Sequence, residues 1–264
     1  MQKIYQNGEL LKEKSHSALN HLGFGVFETF LAKAENRSEF VILGLAQHFE
    51  RLKDGCSKLG LSFLKEERYV ELISQALREA DASLDRRIRI IIYPNDWYLQ
   101  LEPYLVNSES ISVKCVRMDR ALPEVKSCSA ITSVYSANVA VKEGFDEALL
   151  LNQYNMLRET SWGNFFFVSA KNELCTPGSE VLRGVTRGIV LELAARYVKV
   201  LENNYNIEEL QGAKACFSSR STNGVNKIHR IDSQVYPDSE LLEQISRDYQ
   251  ELYIVPGVYY NKFS

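Results

Sequence analysis

No cysteine in this chain has a partner at metal-binding or redox spacing. The five cysteines, Cys56, Cys115, Cys128, Cys175 and Cys216, are scattered, odd in number and free of any C-x-x-C pair. That argues against a disulfide framework and against a thiolate zinc site, so no metal is expected and the thiols read as reduced, in a cytosol. Charge of one sign is lacking too. With 31 basic against 34 acidic residues, the chain projects no field that would draw nucleic acid or an acidic membrane surface. Long apolar runs are also absent: residues 88–93 are too few to span a bilayer, and residues 189–201 are broken by Glu192, Arg196 and Lys199. The start, Met1 to Lys14, has neither the apolar core of a signal peptide nor an Arg-rich amphipathic pattern. Internal repeats and low-complexity tracts are missing as well. The expectation is a soluble cytoplasmic protein with neither a nucleic-acid nor a membrane partner. At 264 residues, 45% of them apolar, it can bury one large core or two modest ones.

The periodicity mixes helix and strand. Residues 25–32 read as a β-branched and aromatic strand, whereas residues 45–59 and 68–80 space their apolar side chains at three and four, as amphipathic helices do. Residues 87–93 (RIRIIIY), 98–105 and 111–117 follow as short apolar runs divided by Pro94-Asn95-Asp96 and Asn107-Ser108-Glu109, which predicts sheet strands. Helices followed by strands indicate α+β rather than alternating βαβ. Pro123 disfavours helix across residues 118–124, the expected linker between an N-terminal domain of residues 1–117 and a C-terminal domain of residues 125–264. In the second part, a helix over 129–142 ended by Gly144, a strand at 147–151, a turn at 153–155 and a strand at 165–169 are expected. A helix over 184–200, a strand over 214–218 and a helix over 238–252 capped by Asp238 or Ser239 complete the pattern.

A single lysine is ordinarily a solvated charge, so Lys126 matters only for its context. From Lys126 the run KSCSAITSVYSANVAVKEGFDEALLLN leads into RETSWGNFFFV and then LCTPGSEVLRGVTRGIV. This order resembles the pyridoxal-5'-phosphate (PLP)-dependent class IV aminotransferase family, in which a Lys precedes a GxDEAL strand. A Glu in an E-x-x-x-x-NxF stretch, a TP turn and an L-x-G-[IV]-T-R segment opening a helix then follow. The matching residues are Gly144 with Asp146-Glu147-Ala148-Leu149, Glu159 with Asn164 and Phe166, Thr176-Pro177, and Leu182 with Gly184-Val185-Thr186-Arg187. GFGVFETF (residues 23–30) and HFERL (residues 48–52) resemble the family's GdGvFET and H-x-x-RL elements. The resemblance implies a two-domain α+β fold of fold type IV, like that of D-amino-acid aminotransferase, with the cofactor between the domains, and a homodimer.

It also implies roles that make chemical sense. Lys126 would bond to the cofactor aldehyde and later shuttle a proton, which requires its amine deprotonated by desolvation or a neighbouring charge. Glu159 would supply the anion that keeps the pyridine nitrogen protonated. The phosphate would find backbone N–H groups at Val185 and Thr186 where a helix opens, a guanidinium at Arg51, and the hydroxyl of Ser221 in CFSSRST. Arg220 stands where that loop commonly has glycine. Two departures remain: Ser129, Ala130 and Ile131 occupy the place of an Asn or Tyr near the ring hydroxyl, and the RG-type loop that binds substrate carboxylate is missing.

Three activities share this scaffold: branched-chain aminotransfer, D-amino-acid aminotransfer, and 4-amino-4-deoxychorismate lysis to pyruvate and p-aminobenzoate for folate synthesis. Chain length and Thr29 in the FET triplet favour the lyase, with Thr29 beside the small-molecule substrate as a catalytic residue. The missing Arg-x-His-like trap weighs against D-amino acids. Aminotransfer is the alternative, and a non-catalytic binding protein on the same fold is the second alternative.

Overall fold

The computed structural model describes residues 3–10, 23–36, 39–107 and 109–263. Ser108 of the expected 107–109 break and part of the opening Met1 to Lys14 stretch lie outside them. Along the chain run β1 (Lys3–Gln6), β2 (Glu9–Leu10), β3 (Val26–Asn36), β4 (Glu39–Leu43), α1 (Leu45–Leu59), α2 (Glu66–Arg78), β5 (Arg86–Ile92), β6 (Trp97–Pro103) and β7 (Ile111–Arg117). Next come α3 (Ile131–Lys142), β8 (Glu147–Leu151), β9 (Leu157–Thr160), β10 (Asn164–Val168), β11 (Leu174–Pro177), α4 (Val185–Ala194) and β12 (Val200–Asn203). A 3-10 turn, β13 (Ala215–Arg220), β14 (Gly224–Ile231), β15 (Gln234–Val235), α5 (Glu240–Glu251) and β16 (Tyr260–Phe263) follow.

Two compact units divide these elements. The first comprises Met1–Val106, Val125–Ser129 and Leu252–Ser264, and its described strands pair in the order β16-β4-β3-β5-β6-β1-β2. Alternation assigns the faces: Val26, Phe30 and Ala32 of β3 and Ile88, Ile90 and Ile92 of β5 enter one buried core. That core is closed by Leu45, Phe49, Leu52 and Cys56 of α1 and by Tyr69, Leu72, Ile73, Ala76 and Leu77 of α2, the three- and four-residue spacing of a helix stripe. The arginines of RIRIIIY therefore fall on the other face of the sheet. Helix α1 stops at Gly60, which adopts φ 67° and lets Leu61 N donate to Cys56 O at 2.8 Å.

The second unit comprises Asn107–Glu124 and Ala130–Glu251. Its described strands follow the order β12-β11-β10-β13-β14-β7-β8-β9, with β15 on β14. Strand β10, NFFFV, is buried along its whole length, which explains an apolar run without alternation. Phe165 and Phe167 enter one core with Cys216 and Ile228. Phe166 and Val168 enter another with Val190 and Ala194 of α4 and Leu242 and Ile245 of α5.

The expected domain limits do not match these units. Strand β7 pairs in parallel with both β8 and β14, so residues 107–124 belong with the second unit. Residues 125–129 run back along β3 through the Val26–Ser127 bridge, and β16 adds to β4. Lys126 is consequently a residue of the first unit, and the chain's end returns there. Helix α4 stops at Ala194 instead of residue 200, because Val200–Asn203 pairs in parallel with β11. A parallel edge partner outweighs local helical spacing there.

Candidate active site

In the first unit, Phe27 N donates to Lys126 O at 2.9 Å and Cys128 N donates to Gly25 O at 2.8 Å. This pairing sets Lys126 Nζ over the Phe27 ring, 4.5 Å from its centroid. Gly25 answers a close approach of the end of β5: a Cβ there would lie 2.6 Å from the Tyr93 ring and 2.7 Å from the Ile92 carbonyl oxygen. Phe27 and Thr29 share a face of β3, and their partners on β5 are Ile91 and Arg89. Arg89 Nε donates to Thr29 Oγ1 at 3.4 Å. Ile91, Tyr93 and Tyr98 form a buried cluster on which Phe27 and Cys128 pack. Burial, then the like charge of Arg87, lowers the Arg89 pKa, and burial pushes the Cys128 thiol up to about 11. A cation with the geometry for a carboxylate thus stands on the same face as the Lys126 amine, against an apolar wall. The family motifs do not contain Arg89. The signal was present in the sequence nonetheless, since the alternation of RIRIIIY excludes Arg89 from the core while Thr29 follows Phe27 by two.

Facing the core, Glu28 is fully buried. Arg51 grips it with a fork, Nε to Oε1 at 2.6 Å and Nη2 to Oε2 at 2.7 Å. His48 Nδ1 donates to Oε2 at 2.8 Å. The H-x-x-R-L spacing puts His48 and Arg51 one turn apart on α1, so both reach one carboxylate. Burial pushes the Glu28 carboxyl up, but the Arg51 charge and the bonds from His48 and Arg51 together outweigh it and bring it down to about 2. Burial lowers the His48 pKa against the pull of Glu28, which keeps the ring neutral. Arg51, expected at the phosphate, is thus held by Glu28 through two of its N–H groups. A charged residue at an inward position between Val26 and Phe30 was the available clue to this cluster.

Removing that carboxylate has a calculable consequence. Glu28→Gln leaves the Arg51 charge half buried without its counter-ion, and a loss of about 3–5 kcal/mol is expected. The wild-type contribution is present in full above the ordinary carboxyl value of 4.5 and is lost as the pH falls through it toward about 2. Neutral buried His48 adds to the acid loss below its ordinary 6.5. Urea unfolding at pH 7, 5 and 4 checks both points, and a Glu28→Gln curve that matches the wild type at pH 7 would refute them.

In the second unit, Glu159 sits buried on β9. Its Oε2 accepts from Leu182 N at 3.1 Å and Asn164 Nδ2 at 3.2 Å, and its Oε1 accepts from Arg120 Nη1. Asn164 Nδ2 also donates to Leu182 O at 2.7 Å, tying β10 to the segment that enters α4. A Cβ on Gly184 would lie 2.1 Å from Asn164 Oδ1, so this glycine answers a close approach. No side chain caps α4, so the N–H groups of its first turn, at Val185 and Thr186, receive no capping acceptor. Thr186 Oγ1 donates to Ser221 Oγ at 3.3 Å, so these two expected phosphate contacts do come together. Ser219 Oγ, two residues earlier, is buried with no protein partner. Arg220, in the place of the common glycine, ends β13 and lies 3.7 Å from the buried Glu147 carboxylate. A helix N-terminus with two hydroxyls suits a phosphate dianion.

Comparison with known proteins agrees with this geometry. The family described as amino-transferase class IV matches residues 25–231, and the chain belongs to that family. A Methanocaldococcus jannaschii protein named as a candidate branched-chain-amino-acid aminotransferase is 26% identical over 91% of this chain and 92% of its own length. The branched-chain aminotransferase of Thermoproteus uzoniensis, solved with norvaline, superposes with a TM-score of 0.85 at 23% identity, covering 94% and 93% of the two chains. A Legionella pneumophila protein described as a candidate 4-amino-4-deoxychorismate lyase gives 0.77 at 20% identity, covering 87% and 91%. The fold is fold type IV, as the resemblance implied.

Proposed function

We propose that this chain transfers the amino group of a branched-chain amino acid to a keto acid. Pyridoxal 5'-phosphate is its cofactor. The observation that carries the substrate reading is the face of the first unit on which Lys126 and Arg89 stand beside Phe27, Ile91, Tyr93 and Tyr98. A guanidinium suits an α-carboxylate and the wall suits an apolar side chain. Likeness to proteins named for branched-chain aminotransfer supports this over the lyase expectation. The lyase is the second reading, favoured by Thr29 and by the likeness to the Legionella protein.

The donor set fits the cofactor. Bound PLP supplies a ring that withdraws electrons from the substrate α-carbon. Lys126 Nζ would hold the cofactor and would move a proton at the substrate α-carbon. Glu159 would hold a proton at the ring nitrogen. The Val185 and Thr186 N–H groups, the Thr186 and Ser221 hydroxyls and the guanidinium of Arg51, which Glu28 orients, would hold the phosphate. Arg89 orients the substrate carboxylate, and Thr29, which accepts from Arg89, steadies it. A homodimer in the cytoplasm belongs to the same reading.

A paired assay tests it. Leucine with 2-oxoglutarate is expected to give glutamate, and aminodeoxychorismate without any keto acid is expected to give no pyruvate. Pyruvate release without glutamate formation would replace this reading with the lyase.

A further inference from the structure

Two neighbouring residues of β9 reach the same two segments in opposite charge order. Arg158 pairs with Glu180 and lies 3.9 Å from Asp119, while Glu159 pairs with Arg120 and accepts from Leu182 N. Basic then acidic on β9 meets acidic then basic at residues 119 and 120, so the segment expected as a linker is held in one register along the strand. The two sets differ in their access to water. The Arg120 and Glu159 side chains are 18% and 6% exposed, whereas Asp119 and Glu180 are 58% and 63% exposed. Water screens the outer pairs and leaves the inner pair strong. A carboxylate has about four acceptor directions, and Glu159 already accepts from Arg120, Asn164 and Leu182. Roughly one direction remains for a ligand.

We propose that Arg120 is a positioning residue, which orients the Glu159 carboxylate and, by sharing it, limits how strongly the cofactor ring keeps its proton. The inference rests on the reading of Glu159 as the ring-nitrogen partner. A guanidinium on the same carboxylate disfavours a further positive charge beside it, so its removal raises the ring's hold on a proton.

The test is a pH titration of the pyridine-nitrogen 15N NMR shift in protein loaded with ring-15N PLP, with PLP affinity from fluorescence as a second readout. Arg120→Gln is expected to move the midpoint up by about one pH unit and to weaken PLP binding several-fold. Arg120→Lys, which keeps the charge, is expected to move it less than half as far. Asp119→Asn, which touches only the exposed contact to Arg158, is expected to leave both readouts at wild-type values. An unchanged or lowered midpoint in Arg120→Gln, or an equal shift in Arg120→Lys or Asp119→Asn, overturns the proposal. If Arg120→Gln does not fold, Arg120→Met carries the same test. Glu159→Gln separates the two levels: a wild-type midpoint there defeats the reading of Glu159 and this inference with it. A shifted midpoint there, with none in Arg120→Gln, defeats the inference alone.

Discussion

Lys126→Ala is expected to abolish the visible band of the PLP-loaded protein and to lower turnover by about 10⁴-fold or more, since one amine supplies both the covalent attachment and the proton transfer. Borohydride reduction of the wild type followed by peptide mapping is expected to find the cofactor on Lys126 alone. The competing lysines are placed for other work. Lys114 pairs with Glu143 and Asp232, and Lys142 ends α3 on the exposed surface. Label on either of these would sink the assignment of Lys126.

Glu159→Gln is expected to retain PLP while turnover falls by roughly 10²- to 10³-fold, within the range of a positioned proton partner. An amide cannot hold the ring proton as a carboxylate does, so the electron sink weakens. The variant can keep the Leu182 and Asn164 bonds by aiming its oxygen at them. Its NH2 then faces the Arg120 donor, a mismatch that costs about 1–3 kcal/mol of stability. Steady-state kinetics beside a thermal melt separates the two effects. Turnover equal to the wild type would leave Glu159 a structural carboxylate only.

The motifs that marked Lys126, Glu159 and Thr186 were legible because the chemistry needs particular residue types in chain order. Helix α1 and strands β7 and β8 were legible down to their ends, α1 because an amphipathic period runs between Gly44 and Gly60 and the strands because each is a short, mainly apolar run. Arg89, His48 and Arg120 were not assigned their contacts. Alternation put Arg89 off the core, but its pairing opposite Thr29 came only with the strand register, and Arg120 became a candidate only through the packing of residues 119–120 along β9. Glu28 was visible as a motif letter, yet its burial between the Arg51 cation and the neutral His48 ring depends on the α1 helix crossing the core face of β3.

By itself, then, the sequence determined the family, the cofactor chemistry and the mixed helix and strand content, all of which follow from residue identity and local spacing. Only the tertiary structure decided the rest: Lys126 pairs with β3 in the first unit, residues 107–124 join the second, and α4 yields to β12 after Ala194. The physical reason is common to all three. A backbone segment must satisfy its N–H and C=O groups wherever the fold offers partners, and in a sheet those partners come from strands far away in the chain.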